Sequence, residues 1–182
     1  MSAAAFVVVL LGAESTGKTT LAQELAVVLA ARGTRVARVD EFLREFCSLH
    51  DRTPRNAEQA GIAAEQTARI DGAAATTDVV IADTSALMIA VYSEIVFGDT
   101  SLNASALAAH RRADLTLLMA LDVPWQDDGL QRDGPHVRAP VDALIRASLD
   151  GAGVAFTTID GLGPARLAAA LRAIDHARAA DV

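Results

Sequence analysis

The apolar run Phe6-Val7-Val8-Val9-Leu10-Leu11 stops at Gly12, and the next eight residues, Gly12-Ala13-Glu14-Ser15-Thr16-Gly17-Lys18-Thr19, match G-x-x-x-x-G-K-[ST] in full. A continuous β-branched run is the pattern of a strand buried on both faces. Beyond the motif, Leu21, Leu25, Val28 and Leu29 recur at helical spacing, and Gly33 suits the helix end. A strand therefore has to turn through this octapeptide into a helix. Glycines in such a turn let successive N–H groups point inward around a phosphate, and the helix N-terminus adds positive potential. Lys18 would then reach the β/γ-phosphates and the Thr19 hydroxyl a Mg²⁺ ion. The expected nucleotide cradle comprises Gly12, Ala13, Glu14, Ser15, Thr16, Gly17, Lys18, Thr19 and Thr20.

The rest of the chain repeats the strand–helix alternation. Arg35 to Val39, Val79 to Ala82, Leu115 to Met119 and Val154 to Ile159 read as further strands. Helical patterns run from about Asn56 to Ala75 and from about Pro164 to Ala180. Alternation without hairpin signals implies an α/β fold of three layers, αβα, with a five-stranded parallel sheet of the P-loop NTPase type. With 182 residues and no repeat or linker, one domain spanning 1–182 is expected. The irregular stretch Val123 to Ala139 carries Pro124, Gly129, Gly134 and Pro135 together with several charges. A stretch of that kind inside a compact domain suits a lid.

Composition narrows the partners. Lys and Arg total 16 against 23 Asp and Glu, a net charge of −7, which disfavours nucleic acid and anionic membranes as ligands. The apolar segment from Ala3 to Gly12 falls short of the roughly 20 residues of a membrane span, and no basic residue precedes it. The single cysteine, Cys47, allows no internal disulfide, and a cytoplasmic setting is expected. His50, His110, His136 and His176 have no metal-ligand spacing.

Ligands of open α/β sheets bind at the carboxyl ends of the strands. Two strands end there in acids, at Asp40-Glu41 and at Asp83. Asp83 follows an apolar run, so it is placed to hold Mg²⁺ or to take a hydroxyl proton, and Asp40 or Glu41 to meet an acceptor's hydroxyls. The competing role for each is helix capping, which Asp favours. Glu14 either faces an acceptor or the lid or is simply solvated. Arg132 and Arg138 lie in the lid, where a fixed positive charge would stabilise a transferring phosphoryl group. Trp125, the only tryptophan, would stack on a heterocycle or anchor the same segment. Two reaction classes fit these features: a kinase acting on a small acceptor, and a nucleotide switch or ATPase module. A GTPase fits less well, because no Asn-Lys-x-Asp segment occurs.

The phosphate loop with its acidic third position resembles that of the ribosylnicotinamide kinase domain of NadR-type proteins. Glu41-Phe42-Leu43-Arg44-Glu45-Phe46 is similar to that family's Glu-x-x-Arg-Glu-Phe, and Trp125-Gln126-Asp127-Asp128-Gly129-Leu130 to its Trp-x-Asp-Asp-Gly-Leu. The spacing from Gln66 through Ile70-Asp71 to Asp83-Thr84 also follows the family. The resemblance implies phosphorylation of the 5′-hydroxyl of nicotinamide riboside with ATP and Mg²⁺. It implies that Glu41, Arg44 and Gln66 face the riboside and that Asp83 serves Mg²⁺ or the hydroxyl. Trp125, Asp127 and Asp128 would lie by the nicotinamide and the lid. The chain departs from the family where an acid is replaced by Ser85, and where Gln131 displaces the arginine to Arg132.

Overall fold

The computed structural model describes residues 4–126 and 134–180. Its strands are β1 (Phe6–Leu11), β2 (Val36–Val39), β3 (Val79–Asp83), β4 (Leu115–Met119) and β5 (Thr157–Ile159). They form one parallel sheet in the order β2-β3-β1-β4-β5. The helices are α1 (Lys18–Ala31), α2 (Phe42–His50), α3 (Asn56–Ala74), α4 (Ala86–Phe97), α5 (Asn103–His110), α6 (Arg138–Gly151) and α7 (Gly163–Ala180). The expected α/β architecture with five parallel strands is the one observed.

The central strand shows why the sheet is covered on both faces. Val7, Val9 and Leu11 point to one side, where they pack with Leu87, Met88 and Val91 of α4 and Val141, Ile145 and Leu149 of α6. Val8 and Leu10 point to the other, against Leu21, Leu25 and Leu29 of α1 and Ala170 and Ile174 of α7. Successive side chains of a strand alternate faces, so an uninterrupted apolar run requires helices above and below it. A third cluster joins Ile62 and Ala63 of α3 to Ile89 and Ala90 of α4 and Ala106 of α5, with Phe42, Leu43 and Phe46 of α2 packed against it.

Two boundaries differ from expectation. β5 begins at Thr157 rather than Val154, because its pairing with β4 starts at Leu117↔Thr157 and Val154 N–H instead closes the end of α6 on Leu149 O. The irregular stretch ends sooner than Ala139. Pro135 opens a 3-10 turn (Pro135–Val137) that leads straight into α6 at Arg138, since a proline's fixed φ and missing N–H suit a first helical turn.

Two buried polar side chains hold the elements that shape the carboxyl edge. Gln66 of α3 is 0 % exposed, with its Oε1 accepting from Phe42 N–H at 2.8 Å and its Nε2 donating to Asp40 O and Thr84 O at 3.4 Å. It thereby fastens the turn after β2 to the turn after β3. On α5, His110 Nδ1 lies 3.0 Å from Ser85 Oγ and its Nε2 lies 2.9 Å from Thr116 Oγ1. Burial disfavours the charged imidazole and pushes the His110 pKa down to about 4.

Replacing Gln66 by Leu should leave one N–H and two carbonyls without their partner and destabilise the fold by about 1–3 kcal/mol, measured by chemical denaturation. His110 titrates near 4 when folded against 6.5 when unfolded, so below about 6.5 the unfolded chain takes up the extra proton. Stability should therefore fall as the pH drops from 6.5 towards 4, by on the order of 3 kcal/mol. Urea melts at neutral and mildly acidic pH should show this loss in the wild type and not in His110→Gln; parallel curves for the two proteins would refute the assignment.

Candidate active site

The site grows from β1 and its two turns. Gly12 leaves the strand with φ 154°, and a Cβ there would lie 2.9 Å from both Met119 Cβ and Thr16 Oγ1, so only glycine lets the chain pass. Gly17 takes a left-handed φ of 79° immediately before α1. Within the loop, Thr16 Oγ1 donates to Ala13 O at 2.8 Å, and Lys18 Nζ donates to Gly12 O at 2.9 Å and Ala13 O at 3.0 Å. The loop is thus preformed around the ammonium of Lys18. Thr20 follows Thr19 in the first turn of α1, and both are exposed.

The register of the sheet decides what faces this loop. Leu10 pairs with Asp83, so the last residue of β3 sits beside the last residues of β1. Thr19 Oγ1 donates to Asp83 Oδ2 at 2.5 Å, while the other oxygen, Oδ1, is buried and accepts no hydrogen bond among the described residues. A 1 % exposed carboxylate with an unused oxygen beside a threonine hydroxyl fits Mg²⁺, a hard cation held by few protein oxygens plus phosphates and water. Among the described residues no group of three or more His, Cys, Asp or Glu would hold a metal by itself. The backbone immediately after Asp83 is strained: Thr84 has φ 81°, unusual for a β-branched residue. Its N–H to Leu10 O at 3.1 Å and its carbonyl to Gln66 hold it there.

Neither acid at the strand ends caps a helix with its side chain. The cap of α4 is Ser85, whose Oγ accepts from Leu87 N–H, and Glu41 occupies the cap position of α2 without a side-chain cap bond. Ser85, the departure from the family's acid, thus serves α4 and His110.

A cleft of about 220 Å³ opens beside the loop on the β2–β3 side of the sheet. Glu14, Ser15 and Lys18 form its floor, Glu41, Leu43, Arg44 and Cys47 one wall, and Met88, Tyr92, Val96 and Phe97 of α4 the other. Thr53 and Pro54 close one edge. That edge is braced by Glu58, whose carboxyl is held down at about 2 by the Arg52 fork at 2.7 and 2.8 Å and the Arg55 N–H at 2.7 Å. Glu14 is 7 % exposed and lines the cleft, which removes the solvated reading. The Glu41 and Arg44 side chains approach to 3.9 Å.

Two expectations are corrected. Asp40 turns away from the cleft to an exposed ion pair with Arg38, Nε to Oδ1 at 2.8 Å, because its alternation from the buried Val39 points it outward. Gln66 lies behind the cleft rather than in it, its amide spent on backbone groups of two turns.

The segment after β4 meets the phosphate loop where Gln126 N–H donates to Ser15 Oγ at 2.8 Å. Trp125 is half-buried, and its Nε1 has no acceptor among the described residues. Arg138 is buried; its Nη1 donates to Val123 O at 2.8 Å, and Nε and Nη2 are unspent among the described residues. Asp127, Asp128 and Arg132 lie outside the described residues.

Sequence reasoning missed Arg166, 5 % exposed in the first turn of α7, where it donates to Thr16 O of the phosphate loop at 2.5 Å. Periodicity marks it only as one cation in an Ala- and Arg-rich helix. The available signal is electrostatic, since a cation in the first turn opposes the helix dipole. The apolar wall from α4 was also not anticipated, because that helix is apolar on all sides and shows no stripe.

Residues 7–166 match the family AAA_28, described as an AAA domain. No curated protein matches the sequence. Among solved structures, a NadR protein in complex with NR aligns with a TM-score of 0.80 at 22% identity, over 94% of this chain and 51% of that one. A NadR protein in complex with NAD and AMP-PNP aligns at 0.72 with 20% identity, over 94% and 49%. Thymidylate kinase from Ehrlichia chaffeensis aligns at 0.65 with 15% identity, over 95% and 100%. At these identities the likeness is one of fold, and the chain spans about half the length of the NadR chains it matches. With its complete phosphate loop, its sheet order and this match over most of its length, the chain belongs to the AAA_28 family and has the P-loop kinase fold shared by NadR and thymidylate kinase.

Proposed function

We propose that this chain is a Mg·ATP-dependent kinase that transfers a phosphoryl group to the 5′-hydroxyl of nicotinamide riboside, giving nicotinamide mononucleotide in the cytoplasm. The observation that carries the reading is the cleft, which starts at the phosphate loop and is lined by both Glu14 and Glu41 and by Tyr92 and Phe97. Two carboxylates and aromatic faces suit a cationic heterocycle on a sugar, through charge attraction and cation–π contact. The same carboxylates oppose an acceptor that already carries a phosphate.

In this reading Glu41 accepts the proton of the 5′-hydroxyl as its oxygen attacks the γ-phosphorus, and the bond to the ADP oxygen breaks. Lys18, the lid arginine Arg132 and Arg138 at the start of α6 offset charge on the transferring oxygens. Arg44 orients the acceptor beside Glu41, and Trp125, Asp127 and Asp128 border the nicotinamide. Thr19 and Asp83 would hold Mg²⁺, which when bound neutralises phosphate charge.

Incubation with ATP, Mg²⁺ and nicotinamide riboside, read by mass spectrometry, should yield a singly phosphorylated riboside. ATP turnover equal with and without acceptor would instead mark an ATPase or switch module. Lys18→Ala should lower kcat/KM by roughly 10²-fold or more without unfolding the chain. Glu41→Gln should lower kcat by about 10²–10⁴-fold with ATP affinity unchanged. Asp83→Asn should cost far more in turnover than in ATP affinity; an effect on ATP binding alone would restrict Asp83 to the ground-state complex.

A further inference from the structure

The cleft for the acceptor occupies the β2–β3 side of the phosphate loop. A nucleotide whose terminal phosphate points into that cleft has its base and sugar on the opposite side, over the turns that follow β4 and β5. Among the described residues the side chain of Arg166 reaches the phosphate loop and both of those turns at once. Arg166 Nε donates to Gly161 O at 2.7 Å, Nη1 to Thr16 O at 2.5 Å, and Nη2 to Asp122 Oδ1. Asp122 Oδ2 in turn accepts from Gly161 N–H at 2.6 Å, and Ala120 N–H donates to Ile159 O at 2.9 Å. The phosphate loop, the turn after β4 and the turn after β5 thus form one closed network around a guanidinium that is 5 % exposed.

The cost of this arrangement argues for a purpose. A buried cation in the first turn of a helix is opposed by the helix dipole and by desolvation. A planar guanidinium presents its donors in fixed, separated directions, which suits three acceptors on three different segments better than the clustered donors of an ammonium. A Cβ on Gly17 would lie 3.4 Å from Arg166 Nη1, so the loop's left-handed turn and the guanidinium are also packed together.

We infer that Arg166 is a positioning residue of the nucleotide site. It holds the Thr16–Gly17 peptide in fixed relation to Asp122 and Gly161, so that the phosphate side and the base side of the site are set together before ATP arrives. It touches no substrate and acts through the three segments. The inference rests on the nucleotide reading above, and it goes beyond it by naming what couples the two halves of the site.

The test compares ATP with tripolyphosphate, which occupies the phosphate loop without a base. Binding of each is measured by calorimetry to the wild type, Arg166→Lys, Arg166→Met and Asp122→Asn, with thermal unfolding of every variant recorded. Asp122→Asn changes a side chain on an exposed turn and keeps the test open if Arg166→Met does not fold. Arg166→Met and Asp122→Asn should weaken ATP by about tenfold or more and tripolyphosphate by much less, with the KM of the acceptor held within about twofold. Arg166→Lys should restore only part of the loss. Combining Arg166→Met with Asp122→Asn should add little to the first change. Unchanged ATP affinity in a folded variant, or equal losses for ATP, tripolyphosphate and acceptor, overturns the inference alone. Absence of ATP binding by the wild type overturns the nucleotide reading and the inference with it.

Discussion

The phosphate loop and the groups on its two flanks are placed by the parallel pairing of β1 with its two neighbours. Because Leu10 lies level with Asp83, the carboxylate at the end of β3 arrives beside the start of the phosphate loop and meets Thr19. Because Leu11 pairs with Leu118, the turn after β4 emerges on the loop's other flank. A shift of one residue would send each of these side chains to the opposite face of the sheet. The register is held by apolar residues on both faces of β1, so the packing of the core and the position of the chemistry are one constraint.

Two buried amide or guanidinium groups then convert strand ends into a shaped site. Gln66 ties the turns after β2 and β3 together on the cleft side, and Arg166 ties the phosphate loop to the turns after β4 and β5 on the other. Gln66 spends its amide on one backbone N–H and two backbone carbonyls, and Arg166 spends its guanidinium on two backbone carbonyls and a carboxylate. A buried polar group is tolerated only when so satisfied, and a satisfied one removes alternative arrangements of its partners. The strained Thr84 shows the consequence: a conformation costing on the order of 1–3 kcal/mol persists because bonds to Leu10 and Gln66 hold it.

Side-chain direction separates the acids that a linear reading treats alike. Asp40 and Glu41 are adjacent, yet one pairs with Arg38 in solvent and the other lines the cleft. Asp83 and Ser85 are two residues apart, yet only the serine caps α4, which leaves the aspartate oxygens for other partners. Glu14 lies within a loop whose backbone suits anions, yet it is buried and lines the cleft.

The phosphate loop, the parallel sheet and the strand-end carboxylates were legible in the sequence because each is a local matter. A glycine-rich turn between an apolar run and an amphipathic helix has few other uses, and β-branched runs define their own strands. The partners of Gln66, Arg166 and His110 were not legible, since most of these hydrogen bonds span 18 to 150 residues and leave no periodic trace. Nor does a helix as apolar as α4, with only Ser93 and Glu94 fully polar, reveal which of its sides will line a cleft. Short-range sterics and burial patterns thus carry the fold class, the glycine-rich loop and the residue types at the strand ends. Which acid faces the cleft, which arginine joins the loops and how the two halves of the site are held together were decided only by tertiary structure, because they depend on distances between segments that the chain brings together by packing.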